Sequence, residues 1–174
     1  MEKGIDKLVV VDIDGTLGEK TLCSLWGRVP DTELLYLIKN LEPNPEVLPF
    51  VKEACQEVGT QVVIITARDE RYREATKMWL TSIALPSDNV YMRPSNYSYD
   101  RKVTAKWKGE VFKNLLQRYS PKAVLLMEDS IDNIYAMNSI TLERKIPMFL
   151  YACGDALSTL LIQDRLINIL RNED

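Results

Sequence analysis

The run Val9-Val10-Val11-Asp12-Ile13-Asp14-Gly15-Thr16-Leu17 places two carboxylates two positions apart, directly after a β-branched stretch. Alternate residues of an extended chain point the same way. Asp12 and Asp14 can therefore converge on one phosphate or one cation. Three further segments carry matching chemistry. Thr66-Ala67-Arg68 follows the apolar run 61–65; a threonine hydroxyl with backbone amides entering a helix suits a phosphate. Glu128-Asp129-Ser130-Ile131-Asp132-Asn133 follows the apolar run 123–127. Between them lie Lys102, Lys106 and Lys108. Carboxylates, a hydroxyl and a lysine at one place form the set that phosphoryl transfer uses, because cationic groups offset the charge of the moving group.

The chain has no histidine. Ser-His-Asp and Cys-His catalysis and His-ligated metals are thereby excluded. Cys23, Cys55 and Cys153 are far apart and form no CxxC pair. Neither a zinc site nor a disulfide frame follows, and Cys55 reads as a buried residue on the apolar face of a helix. What remains is a hard, oxygen-only site, whose natural cation is Mg²⁺. Asp12, Asp14, Asp129 and Glu128 are its candidate ligands. Asp12 and Asp14 are also the candidate catalytic acids. Glu128 and Asp129 could instead cap the helix that follows them.

These groups need a scaffold that brings distant segments to one edge. Apolar runs over 8–11, 61–65, 89–92, 123–127 and 147–151 predict five strands. Helical periodicity predicts helices over 46–58, 69–84, 107–119, 131–139 and 155–171. Alternation of this kind implies βαβ units and an α/β fold: a three-layer, Rossmann-like parallel sheet with helices on both faces. Such sheets bind ligands beyond the carboxyl ends of their strands. The irregular segment 18–44, with Trp26, Arg28 and a short helix over 31–41, follows the paired acids and should lie beside or over them as a flap. The 174 residues suit a single domain with a real core.

No apolar run approaches the length of a membrane span. The first seven residues are too polar for a signal peptide, and a cytoplasmic location is the expectation. The net charge of −3 conceals a basic stretch: 93–122 holds eight Lys or Arg and two Asp or Glu. A local positive field there would draw an anionic substrate.

The order Asp-Ile-Asp-Gly-Thr, Ile-Ile-Thr-Ala-Arg, a helix-borne lysine, then Leu-Leu-Met-Glu-Asp-Ser resembles the haloacid dehalogenase (HAD) superfamily. The resemblance covers about 8–138. It implies Asp12 as nucleophile and metal ligand. It implies Asp14 as general acid and base, with its backbone carbonyl on the metal. Thr66 would hydrogen-bond the phosphoryl oxygens, and Asp129 would be the direct acidic ligand, with Glu128 and Asp132 beside it. The lysine is Lys108, from Lys-Gly-Glu-Val-Phe, or Lys106. Ala67, Arg68, Gly15 and Arg93 are the further candidates for substrate contact. An acid at position 14 favours a phosphatase over a dehalogenase, which needs no proton donor there.

Asp14 and Thr66 are 52 positions apart, too few for a full cap domain beside the predicted helix and strand. In this superfamily capless members take large substrates or close the site with an oligomer partner. Tyr91-Met92-Arg93-Pro94, the basic stretch and Lys-Gly-Glu-Val-Phe-Lys-Asn-Leu-Leu resemble the phosphatase domain of phage-type polynucleotide kinase/phosphatases, which remove 3′-phosphates from nucleic-acid ends. Tyr97, Tyr99 and Trp107 are compatible with stacked bases. No GxxxxGK[ST] kinase loop is present, so any kinase partner would be separate or absent. The expected function is Mg²⁺-dependent phosphomonoester hydrolysis through an aspartyl-phosphate. The alternatives are a phosphatase of mononucleotides or other small phosphates, and a non-catalytic binding module.

Overall fold

The computed structural model describes residues 4–19, 25 and 28–154. The helix expected over 155–171 lies outside the described residues, as do Cys23 and Trp26. Strand β1 (Lys7–Val11) is followed by helices α1 (Asp31–Lys39) and α2 (Val47–Gln56). Then come β2 (Thr60–Asp69), a 3₁₀ turn (Glu70–Tyr72), α3 (Arg73–Ser82) and β3 (Val90–Arg93). The chain continues through α4 (Arg101–Tyr119), β4 (Ala123–Glu128), α5 (Ile131–Glu143) and β5 (Met148–Ala152). The five strands form one sheet in the order β3-β2-β1-β4-β5, every pair parallel. The α/β architecture read from the sequence is the one the chain adopts.

β1 is the central strand, and its composition reflects that place. Val9 and Val11 pack with residues of α1, α2 and α3 on one face. Leu8 and Val10 pack with α4 and α5 on the other. Both faces being covered, the strand is apolar at every position rather than at alternate ones.

Several boundaries differ from the sequence expectation for physical reasons. β2 runs on past Ile65 to Asp69, because Thr66 and Asp69 still pair with Met92 and Arg93 across a register shift. α4 starts six residues before 107. Asp100 caps it, its carboxylate accepting from the backbone N–H of Lys102 (2.9 Å) and Val103 (3.1 Å). Cys55 is exposed, not buried. Helix α2 buries only Val47 and Val51, and Cys55 sits at the mouth of a shallow hollow lined by Val51, Val62, Ile64 and Leu85.

The 18–44 segment is tied down at its stem. The Asn44 N–H donates to the Leu17 carbonyl (2.8 Å) and its side-chain amide to the Thr16 carbonyl (3.0 Å). Leu34, Ile38 and Leu41 of the segment belong to the core, and the Trp79 indole N–H donates to the Leu41 carbonyl at 2.7 Å. Its described helix is thus a packed part of the domain. No helix among the described residues is long and apolar enough to cross a membrane.

Candidate active site

Val11 lies level with Ile64 of β2 and Met127 of β4. The chain segments after these residues therefore leave the sheet at one edge, side by side. That register brings Asp12, Thr66 and Glu128 together although they are far apart in sequence. After Val11 the chain turns sharply: the Thr16 and Gly18 N–H groups both donate to the Ile13 carbonyl. Gly15 has φ +92°, and a Cβ there would strike the Asp129 carboxylate. Only glycine lets this turn approach the β4 acids so closely. The Gly15 N–H itself donates to the Gly18 carbonyl (2.9 Å).

Lys108 arrives from α4, across the sheet face that carries Leu8 and Val10. It is 1% exposed. Its ammonium donates to Asp12 Oδ1 at 2.7 Å and to Glu128 Oε2 at 2.8 Å. Lys106, two positions earlier and about 200° round the helix, is exposed. Geometry thus separates the two lysines that the sequence left as alternatives. Burial alone would push Lys108 down, but the Asp12 and Glu128 carboxylates hold its ammonium above the ordinary lysine range.

Asp12, Glu128 and Asp129 bring carboxylate oxygens within 4.8 Å of one another. Asp12 and Glu128 share Lys108, with Asp129 beside them. Burial first, then Glu128, push Asp12 well above the usual carboxylate range against the pull of Lys108. The donor set is wholly oxygen. Cys153, nearby, contributes no thiolate, since burial and the neighbouring acids push its thiol up to about 11 despite the Thr16 hydroxyl. Hard oxygen donors fit Mg²⁺.

The acids of the cluster are not equivalent. Glu128 has both oxygens engaged: Oε2 takes Lys108, and Oε1 accepts from the backbone N–H of Asp129 (3.2 Å) and Ser130 (3.1 Å). It caps the chain entering α5 and orients the lysine. Asp132 lies in the first turn of α5, half-buried.

Asp14 takes a different environment. Its carboxylate is gripped by Arg68, with Nε to Oδ2 at 2.9 Å and Nη2 to Oδ1 at 2.7 Å. Arg68 is completely buried, its guanidinium over the Trp79 ring at 5.5 Å and its Nη1 donating to Thr76 Oγ1 at 3.4 Å. The side chain read as a substrate contact is therefore turned inward onto the second acid. Sequence reasoning missed this pairing, which links positions 54 apart. The one available signal was that Arg68 follows Thr66 by two, so both leave β2 on the same side.

Thr66 is fully buried at the same edge, its hydroxyl accepting from the Arg68 N–H at 3.3 Å. The Ala67 carbonyl accepts from Arg93 Nε at 3.0 Å. Arg93 also donates to the Tyr97 carbonyl and approaches Asp69 Oδ2 at 3.6 Å. It orders the loops beside the site. Asp69, which the sequence did not single out, anchors that network. Burial works to raise its pKa, but Ser95 (2.6 Å) and Arg71 hold it below the usual carboxylate range. Trp107 is buried in the core, unlike Tyr97 and Tyr99.

The sequence and the fold match known proteins. The family model of the polynucleotide kinase PNKP phosphatase domain matches residues 6–137. Among solved structures, Pnkp1 in the Pnkp1/Rnl/Hen1 RNA repair complex is similar with 25% identity and a TM-score of 0.57, over 87% of this chain and 44% of that one. The chain spans less than half the length of Pnkp1. The HAD domain of effector protein Lem4 from Legionella pneumophila shares the fold, with 14% identity and a TM-score of 0.60 over 88% and 89% of the two chains. So does the class C acid phosphatase from Bacillus anthracis with tungstate bound, with 14% identity and a TM-score of 0.57 over 88% and 69%. No protein of curated function matches the chain. The matched region runs from β1 into α5 and contains Asp12, Asp14, Thr66, Lys108, Glu128 and Asp129, and the chain belongs to the family of PNKP phosphatase domains within the HAD-type phosphatases.

Proposed function

We propose that this chain hydrolyses the terminal 3′-phosphate of nucleic acids, with Mg²⁺ as cofactor and a phosphate on Asp12 as intermediate. The observation that carries the reading is Lys108, buried and bonded to Asp12 beside the Asp129 carboxylate. It holds the carboxylate of Asp12 at the sheet edge and offers positive charge where a phosphoryl group would enter. Asp12, Asp129 and the Asp14 backbone carbonyl are the groups to hold Mg²⁺, with Glu128 orienting Lys108. Bound there, Mg²⁺ supplies charge opposite the phosphoryl oxygens.

An Asp12 oxygen attacks phosphorus in line. The Asp12–phosphorus bond forms as the bond to the 3′ oxygen breaks, and Asp14 gives that oxygen its proton. Asp14 then takes a proton from water, whose oxygen attacks the phosphorus of the acyl phosphate. Inorganic phosphate leaves and Asp12 is restored. Lys108 and Thr66 steady the phosphoryl oxygens throughout. For Asp14 to serve the leaving oxygen, one arm of the Arg68 fork must yield.

The nucleic-acid substrate is supported by the family match, by the exposed Arg101, Lys102 and Lys106 along the start of α4, and by the absence of a full cap between Asp14 and Thr66. Pnkp1 works within an RNA repair complex, and this chain would act in company with other end-processing activities. Phosphate release from a 3′-phosphorylated oligonucleotide, its 5′-phosphorylated isomer and nucleoside monophosphates tests the reading. Preference for the 3′-phosphorylated oligonucleotide is expected. Equal or faster turnover of the monophosphates would make this a small-molecule phosphatase, and no turnover of any phosphoester would leave a binding module.

A further inference from the structure

The loop between β3 and α4, residues 94–100, leaves the same sheet edge as Asp12, Thr66 and Glu128. It is short and held on several sides. The Tyr97 N–H donates to the Pro94 carbonyl at 3.0 Å. Ser95 donates to Asp69 at 2.6 Å, Arg93 grips the Tyr97 carbonyl, and Asp100 caps α4. Arg93 also reaches the Ala67 carbonyl, one residue from Thr66. The loop is thereby tied to the phosphate-binding segment.

This fixed loop turns two aromatic rings outward. Tyr97 is 37% and Tyr99 49% exposed. The Arg93 guanidinium lies over the Tyr99 ring at 5.5 Å, which limits how that ring can turn. Two large rings displayed from an ordered loop do nothing for the core. Exposed Arg101 and Lys102 follow directly. Rings for stacking beside cations for phosphates are the two components of single-strand binding, and a preorganised ring loses little freedom when a base settles on it.

We infer that Tyr97 and Tyr99 form a stacking platform for the bases next to the scissile phosphate, with Arg101 and Lys102 meeting the strand's backbone phosphates. The inference rests on the nucleic-acid reading above and specifies how a single-stranded 3′ end would be held. Trp107, the third aromatic of the stretch, takes no part because it is buried.

The test compares wild type, Tyr97→Ala/Tyr99→Ala and Tyr97→Phe/Tyr99→Phe on two substrates: a single-stranded 3′-phosphorylated oligonucleotide and p-nitrophenyl phosphate. The double alanine variant should raise KM for the oligonucleotide about five-fold or more, the factor that loss of one stacked base brings. Its kcat and its turnover of p-nitrophenyl phosphate should be unchanged, and the phenylalanine variant should match wild type on both. Unchanged KM in the alanine variant, with wild type still preferring the oligonucleotide over monophosphates, overturns the platform alone. Equal loss on both substrates makes the tyrosines structural and also overturns it. If wild type shows no such preference, the nucleic-acid reading itself falls.

Discussion

Arg68 holds both carboxylate oxygens of Asp14, at 2.9 and 2.7 Å, with its guanidinium wholly shielded from solvent. A bidentate fork of this kind sets the orientation of a carboxylate as well as its position. It also makes the pair matter for stability, because each partner leaves a buried charge behind when the other is removed. Arg68→Ala and Asp14→Asn should each destabilise the fold by about 3–5 kcal/mol. Arg68→Lys should recover only part of this, since one ammonium cannot reproduce the fork. Urea unfolding of the three variants measures this; wild-type midpoints would show that the pair contributes nothing.

Asp12 should behave in the opposite way. Its carboxylate is buried beside Glu128 and Asp129, and burial first, then Glu128, disfavour its charge. Asp12→Asn removes one negative charge from that cluster and leaves Lys108 paired with Glu128. The metal-free variant should be as stable as wild type or more so, while phosphatase turnover falls on the order of 10³-fold or more. Thermal melts in EDTA beside activity assays in Mg²⁺ separate the two effects.

The two lysines of α4 should differ sharply. Lys108→Met strips Asp12 and Glu128 of their shared cation in a buried site, so both activity and stability should fall, stability by about 3 kcal/mol or more. Lys106→Ala touches only an exposed position and should change stability by less than about 0.5 kcal/mol. Equal effects would contradict the placement of Lys108.

Mg²⁺ should stabilise the folded protein through the three-acid cluster. At about 100 times its Kd a ligand adds about 2.7 kcal/mol, which for a domain of this size raises Tm by about 5–10 °C. Asp129→Asn should lose most of that shift, and excess EDTA should abolish it in wild type.

One hydrogen bond outside the site gives a pH signature. The Tyr72 phenol donates to Asp31 at 2.6 Å, joining the 3₁₀ turn after β2 to the first turn of α1. Burial, with Asp31, raises its pKa from 10.0 to about 12. The folded state therefore keeps this proton after the unfolded chain has lost it. The stability it adds is complete below pH 10 and disappears as pH rises through 12. Tyr72→Phe should flatten the alkaline decline in this window, read from chemical denaturation at pH 9 and 11.5.

How much of this was legible in the sequence depends on whether the cause was local. The strands were legible because β1 and β4 are buried on both faces and so apolar throughout. The convergence of Asp12, Thr66 and the Glu128-Asp129 pair was legible because parallel strands deliver their carboxyl ends to one edge. The start of α4 was not, because its first two turns carry Arg101, Lys102 and Lys106 with little apolar periodicity; the Asp100 cap was the signal to weigh. Arg68 and Arg93 read as substrate contacts because both follow strands at the right edge. Only tertiary structure turns one onto Asp14 and the other onto the Ala67 and Tyr97 carbonyls. Choosing Lys108 over Lys106 likewise required the facing of a helix whose true start lay six residues earlier.

Asp12, held by Lys108 in an acid cluster suited to Mg²⁺, is the group proposed to attack a 3′-phosphate. Phosphate release from a 3′-phosphorylated oligonucleotide by wild type and Asp12→Asn, each with Mg²⁺ and with EDTA, tests it most directly. Wild type with Mg²⁺ should turn over, and the other three combinations should be silent. Turnover by Asp12→Asn at the wild-type rate, or wild-type turnover undiminished in EDTA, would contradict it.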